Sequence, residues 1–238
     1  KMDLFDSLTL TFGTAGTGGF SVLNSGIATY SPYVQYVITI FMILFGIDFT
    51  ISFLLFFGKI KAAFQSSEVR AYLGIITIAI LLVFFNCRAL FPTAEETFRH
   101  SAFQVASIIT TTGYSTTDFD LWPEFSKTIL VILMFIGACA GSTGGGIKVS
   151  RIIILVKSLF KQLKLSAHPK STFKLTMNGH IIEHETIRSV NSYMVAYLII
   201  FMLSLLIISI DNFDFTMYGK TRARLMGKNG SGKSTLLK

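Results

Sequence analysis

The sequence predicts an all-α membrane protein with re-entrant half-helices and one broken transmembrane helix, on three observations. Charged residues are 14% of the 238-residue chain and hydrophobic ones 51%, against the roughly 25% charge usual for soluble domains. The apolar residues gather in four blocks, Tyr33 to Phe57, Ala71 to Phe91, Ile129 to Leu159 and Ser192 to Ile210. Each reaches or passes the roughly 20 residues that cross a hydrocarbon core at 1.5 Å per residue. Two half-length apolar stretches, each running into a threonine-glycine turn, stand between or before the blocks. Four long blocks joined by polar connections would leave a soluble fold little surface to face water. The start, Lys1-Met2-Asp3, lacks a basic region leading into an apolar run, so it reads as mid-protein chain and not as a signal peptide.

The first element is the half-length stretch Asp3 to Phe12, followed by Gly13-Thr14-Ala15-Gly16-Thr17-Gly18-Gly19-Phe20-Ser21. The first long block follows it and carries Asp48 near its middle, where an ionisable residue is a functional candidate by default or packs against a neighbouring unit. After the second block the opening pattern recurs: Thr97 to Ile109, then Thr110-Thr111-Thr112-Gly113-Tyr114-Ser115. Thr17-Gly18-Gly19-Phe20-Ser21 and Thr111-Thr112-Gly113-Tyr114-Ser115 align without a gap on their Gly-aromatic-Ser ends. Stretches too short to span, placed between spans, predict a re-entrant helix with an extended return. Irregular backbone at that depth must line water or protein. An ion filter needs carbonyl oxygens aimed at a dehydrated cation, glycine where a side chain or ordinary φ/ψ would interfere, and threonine hydroxyls as further oxygen ligands. The aromatic after each glycine is expected to brace the return against its own half-helix.

The third block runs 31 residues and contains Gly137-Ala138-Cys139-Ala140-Gly141-Ser142-Thr143-Gly144-Gly145-Gly146-Ile147-Lys148. Each glycine costs about 1 kcal/mol relative to alanine in a helix, so the span is expected to break there. Gly137 and Gly141, four apart, also suit close helix packing in lipid. An unwound polar segment below a filter could instead obstruct a pore and move on opening. Lys148 either repels cations in the closed state or snorkels to the interface.

Charge sets the topology. Lys59, Lys61 and Arg70, then Lys157, Lys161, Lys164, Lys170, Lys174 and Arg188, mark cytoplasmic connections, whereas Asp3, Asp6, Glu95, Glu96, Asp118, Asp120, Glu124, Asp211 and Asp214 mark the outside. The net charge of +8 is explained by those connections and a basic tail, and no aromatic-interleaved basic face points to nucleic acid. Acidic groups at an outer mouth raise local cation concentration, or accumulate where lysine is excluded. Cys87 and Cys139 lie in membrane blocks as small hydrophobes and predict neither disulfide nor metal.

The paired turns and the Gly-Ser-Thr-Gly-Gly-Gly run resemble the Trk/Ktr/HKT superfamily of potassium uptake subunits over about Met2 to Phe215. Those subunits fold four covalently linked repeats of span, pore loop and span around one pore. The resemblance implies a partial set of such repeats. Residues 1–32 would be the pore helix and filter loop of the second repeat, and 33–58 its following span. The third repeat, with its gating loop, would occupy 69–164, and a cytoplasmic connection and the first span of the fourth would occupy 165–215. It implies filter residues Thr17, Gly18, Gly19, Thr111, Thr112 and Gly113, and a gate at Gly141, Ser142, Thr143, Gly144, Gly145, Gly146 and Lys148. It implies potassium uptake with K+ as the transported ion, no covalently bound cofactor and no enzymatic activity. It further implies a multi-pass subunit in the lipid of the plasma (inner) membrane with pore loops outside, a homodimer of full-length subunits, and a cytosolic nucleotide-binding regulatory subunit. A carrier of another solute, with a midplane site between inverted repeats, is the competing reading.

Two further motifs are weighed. His180-Ile181-Ile182-Glu183-His184 fits an H-x-x-E-H zinc pattern but follows an Asn-Gly turn and has no evident third ligand. In residues 216–238, Gly227, Gly232, Lys233 and Ser234 complete a G-x-x-x-x-G-K-[ST] phosphate loop. The stretch resembles the opening of an ABC-type ATPase domain, without the later strands or Walker B carboxylate. A truncated ATP-binding protein is therefore the other competing reading, and an unrelated tail the preferred one.

Overall fold

The computed structural model describes residues 2–23, 25–59, 65–168 and 174–217. The chain divides into two compact units, residues 1–187 and 188–238. Residues 218–238, with Gly227, Gly232, Lys233 and Ser234, lie outside the described residues.

The first unit opens with α1, Leu4–Ala15, started by Asp3, whose carboxylate accepts the Leu4 N–H. Helix α2, Pro32–Phe45, has proline in its first turn, where the missing N–H is no loss, and α3 is Phe49–Phe56. The unbroken span expected over 33–58 is therefore interrupted at Gly46-Ile47-Asp48. The Asp48 carboxylate accepts the Thr50 N–H at 2.7 Å, so a short polar side chain competes for backbone donors and starts a new helix instead of continuing the old one. Helix α4, Ser67–Cys87, is long and apolar enough to cross a membrane.

Helix α5, Ala94–Ile109, starts at Thr93, whose hydroxyl accepts the Glu96 N–H. A single 3-10 turn, Phe119–Leu121, leads to α6, Glu124–Ile136. A non-helical segment then separates α6 from α7, Val149–Ala167, so this span is broken where its glycines predicted. Strands β1, Thr176–Met177, and β2, His180–Ile181, form an antiparallel hairpin. Its Asn178-Gly179 turn has both φ positive, the type I′ signature. His180 lies in β2, and no group of three metal-ligating side chains occurs among the described residues.

Helix α5 is the central element of this unit, with buried residues on every side. One face joins Tyr72, Ile76, Val83, Leu130, Leu133 and Val149 in a core with α4, α6 and the start of α7. The other, through Phe103 and Ala106, joins Leu10 of α1, Ile27 of the following connection, and Ile38 and Met42 of α2. The second unit is the body of α8, His184–Met217, whose apolar stretch to Ser209 also meets the length and hydropathy of a membrane span. The described residues are mostly helical, and large apolar side chains such as Phe53, Ile78, Phe85 and Leu159 are exposed.

Candidate functional site

The two threonine-glycine turns have the same backbone. Gly16 N–H donates to Phe12 O, Thr17 N–H to Thr14 O and Gly18 N–H to Gly13 O. At the positions aligned with these in the second turn, Thr110 N–H donates to Ala106 O, Thr111 N–H to Ile108 O and Thr112 N–H to Ser107 O. Thr17 and Gly19 have φ of 49° and 67°, and their counterparts Thr111 and Gly113 have 58° and 90°. A left-handed residue reverses the peptide plane, so two of them two positions apart allow the carbonyls along a turn to share one side. Sequence reasoning assigned that conformation to glycine alone. The threonines adopt it as well, each hydroxyl donating to the preceding carbonyl, Gly16 O at 2.8 Å and Thr110 O at 2.7 Å.

The turns also touch each other. A Cβ on Gly19 would lie 2.0 Å from Thr112 O, so the two backbones meet there. Tyr114, 2% exposed, donates its hydroxyl proton to Phe20 O at 3.2 Å and fills the space a Cβ on Gly13 would need. Tyr114 shares a core cluster with Phe103 and Ala106 of its own half-helix and is also a strut to the other turn. Phe20 is 78% exposed, its ring lying over Gly18. What ties the second turn to its own helix is Ser107, fully buried, whose hydroxyl donates to Tyr114 O at 2.6 Å. Gly13 occupies the matching place in the first turn. Beyond the turns, Glu95 accepts from Arg99 Nε and from the Tyr36 hydroxyl, both at 3.0 Å. Burial pushes the Glu95 carboxyl up, but these donors outweigh it and hold the group below the usual glutamate range.

The segment between α6 and α7 folds against these turns. Gly145 N–H donates to Thr111 Oγ1 at 2.6 Å, and Thr17 Oγ1, whose single proton is shared between Gly16 O and Thr143 O, lies 3.1 Å from Thr143 O. Both turns therefore have a threonine hydroxyl in contact with the glycine run. Its two arms cross tightly: a Cβ on Gly146 would lie 2.6 Å from Gly137 Cα, and Ile147 and Lys148 N–H donate to Phe135 and Ile136 O. Only residues without a side chain fit that crossing. Lys148 turns inward and donates from Nζ to Gly144 O. Ser142 donates to Cys139 O at 2.6 Å, closing a turn within the segment.

The unexpected break in the first block serves this segment. Cys139 N–H donates to Gly46 O at 3.0 Å, Phe49 N–H donates to Gly141 O at 3.2 Å, and the Asp48 carboxylate lies beside Gly141. Glu68, missed by sequence reasoning, accepts from Ala140 N–H at 2.7 Å and Ser150 N–H at 3.1 Å. Its signal was available: a carboxylate at the head of an apolar span, on the side where the other charges are mostly basic. The structure thus brings Thr17, Gly19, Thr111 and Thr112 together with Thr143, Gly144 and Gly145, and sets Gly141 apart against Asp48.

Residues 75–218 match a family model described as TrkH, cation transport protein. The chain is 32% identical over 231 residues to the Trk system potassium uptake protein TrkH of Escherichia coli strain K12, covering 94% of this chain and 47% of that protein. It is 29% identical over 234 residues to TrkG of the same strain, covering 97% and 48%. The crystal structure of the potassium transporter TrkH from Vibrio parahaemolyticus superposes with a TM-score of 0.85 at 26% identity, covering 99% of this chain and 55% of that one. The chain spans about half the length of the curated relatives it matches.

Proposed function

The chain belongs to the TrkH family of cation transport proteins, and from that premise we propose that it forms part of the ion-conducting subunit of a potassium uptake system. K+ enters from outside, sheds water against carbonyls and hydroxyls of Thr17, Gly18, Gly19, Thr111, Thr112 and Gly113, and passes inward when the segment Gly141 to Gly146, with Lys148, moves aside. Two filter turns are here, and a ring of four requires the remainder of a full-length subunit. In this reading 1–58 supply the pore loop and following span of a second repeat. Residues 69–164 are the whole third repeat, and 165–215 lead into the fourth. The loops face outside across the plasma membrane, in keeping with basic residues on the opposite connections. The subunit works as a homodimer with a cytosolic nucleotide-binding regulatory partner, as the family resemblance implies.

One observation carries the reading: two separate turns share hydrogen bonds and left-handed positions residue for residue, and meet backbone to backbone at Gly19 and Thr112. Repeated turn geometry with the two turns in contact suits a ring of carbonyl ligands. Thr111 and Thr17 contacts with the glycine run support its role as an obstruction directly beneath the turns. The test is growth at low potassium of a strain lacking its own uptake systems and carrying the full-length subunit. Rescue that changes on deletion of Gly141 to Gly146 supports transport and gate together. Absence of rescue by protein shown to reach the membrane overturns the potassium reading.

A further inference from the structure

One carboxylate outside the glycine run holds both of its arms. Glu68 lies in the first turn of α4 and is 8% exposed. Its Oε1 accepts Ala140 N–H from the entering arm and Ser150 N–H from the first turn of α7, on the leaving arm. The attachments Cys139 to Gly46, Phe49 to Gly141, Thr17 to Thr143 and Gly145 to Thr111 join neutral groups, and the charged donors Lys148 and Arg151 each hold one carbonyl, Gly144 O and Ile147 O, whereas Glu68 holds both arms. A charged acceptor makes hydrogen bonds roughly twice as strong as neutral ones, and the N-terminal end of α7 adds its positive dipole end. If the segment left, Glu68 would be a buried carboxylate without these donors, which is strongly disfavoured.

We propose that Glu68 is the latch of the gate, a positioning residue that keeps the glycine run in its closed place by pinning Ala140 and Ser150 through one oxygen. The proposal rests on the reading of that run as a gate. Opening then requires both N–H bonds to break together, and an event that draws α4 or α7 away weakens both arms at once. Because Oε1 contacts the arms and not the turns, Glu68 governs how often the path is open and not which ion passes.

The test uses the full-length subunit reconstituted in liposomes, with Glu68→Ala and Glu68→Gln, read by amide hydrogen exchange over 137–150 and by K+ uptake. In Glu68→Ala, exchange at Ala140 and Ser150 is expected to rise about tenfold or more, as befits loss of charge-assisted bonds. The maximal uptake rate should rise severalfold, with half-saturating K+ and K+ over Na+ discrimination unchanged. Glu68→Gln keeps an acceptor of the same shape and should give a smaller rise in both. Unchanged exchange in either folded variant overturns the latch. So does faster exchange without faster uptake, or with altered half-saturation. Should Glu68→Ala fail to assemble, the Gln variant decides by the same criteria. A wild-type subunit that does not pass K+ at all sinks the functional reading instead, while exchange still decides whether Glu68 pins the segment.

Discussion

Gly19→Ala is the substitution with the largest effect the geometry specifies. The new Cβ would lie 2.0 Å from Thr112 O, whereas ordinary contact begins at 3.4 Å, so the two turns must part by the difference, about 1.4 Å. The obstacle is a backbone carbonyl on a turn fixed by Thr112 N–H to Ser107 O and by the Ser107 hydroxyl to Tyr114 O, not the free end of a side chain. The φ of 67° at Gly19 adds about 1–2 kcal/mol for any L side chain, and overpacking about 1–3 kcal/mol. The total of about 2–5 kcal/mol falls on the position of the Thr112 carbonyl, a proposed ion ligand. Since about 1.4 kcal/mol is tenfold in an equilibrium, K+ over Na+ discrimination in liposomes should fall at least about tenfold while the protein still reaches the membrane. Gly74→Ala is the matched control, a position inside α4 with nothing within 4 Å. It should behave as wild type, with the helix favoured by about 1 kcal/mol. Normal selectivity in Gly19→Ala would refute the claim that the Gly19–Thr112 contact sets the filter.

Thr111→Val removes the acceptor for Gly145 N–H at nearly constant shape. A net loss of about 1 kcal/mol corresponds to about fivefold faster exchange of the Gly145 amide, whereas Thr111→Ser should stay near wild type; equal rates in all three would exclude the hydroxyl as a tether. At the start of α5, the Glu95 carboxyl is held below its ordinary range by Arg99 and Tyr36 despite some burial. Its contribution to stability is complete above the unfolded pKa and disappears as pH falls through the lower folded value. The thermal midpoint of wild type in detergent should therefore drop more steeply on acidification than that of Glu95→Gln, and superimposable profiles would discount the Arg99–Glu95–Tyr36 contacts.

Much of this chain was legible because lipid simplifies the physics. With no water to hydrogen-bond the backbone, apolar runs as long as Ala71 to Phe91 have to be helical, and α4 spans Ser67–Cys87. The run from Gly137 to Lys148 disfavours helix by propensity alone, and the helices stop at Ile136 and resume at Val149. Local alignment also sufficed to pair the two threonine-glycine turns, since residues of similar type at the same spacing offer the backbone the same hydrogen bonds. By contrast, the break at Gly46-Ile47-Asp48 has one glycine and one carboxylate in an otherwise apolar block, too little local preference to outweigh helix continuation. The Asp48 cap on Thr50 is reinforced there by distant partners, Cys139 N–H on Gly46 O and Gly141 O on Phe49 N–H.

The sequence by itself determined the membrane class, the helical content, the broken third block and the repeated turns, all consequences of composition and spacing between near neighbours. Tertiary structure alone decided which groups meet. Helix α5 is among the less apolar helices of the chain yet one of the most buried, because it stands at the centre of the first unit and not because its residues avoid water. Tyr114 reaches across to Phe20 O, and Glu68 joins Ala140 to Ser150. Such contacts link residues dozens of positions apart, and no single-chain pattern records them: their strength depends on directed hydrogen bonds and close backbone approach, which only the assembled fold supplies.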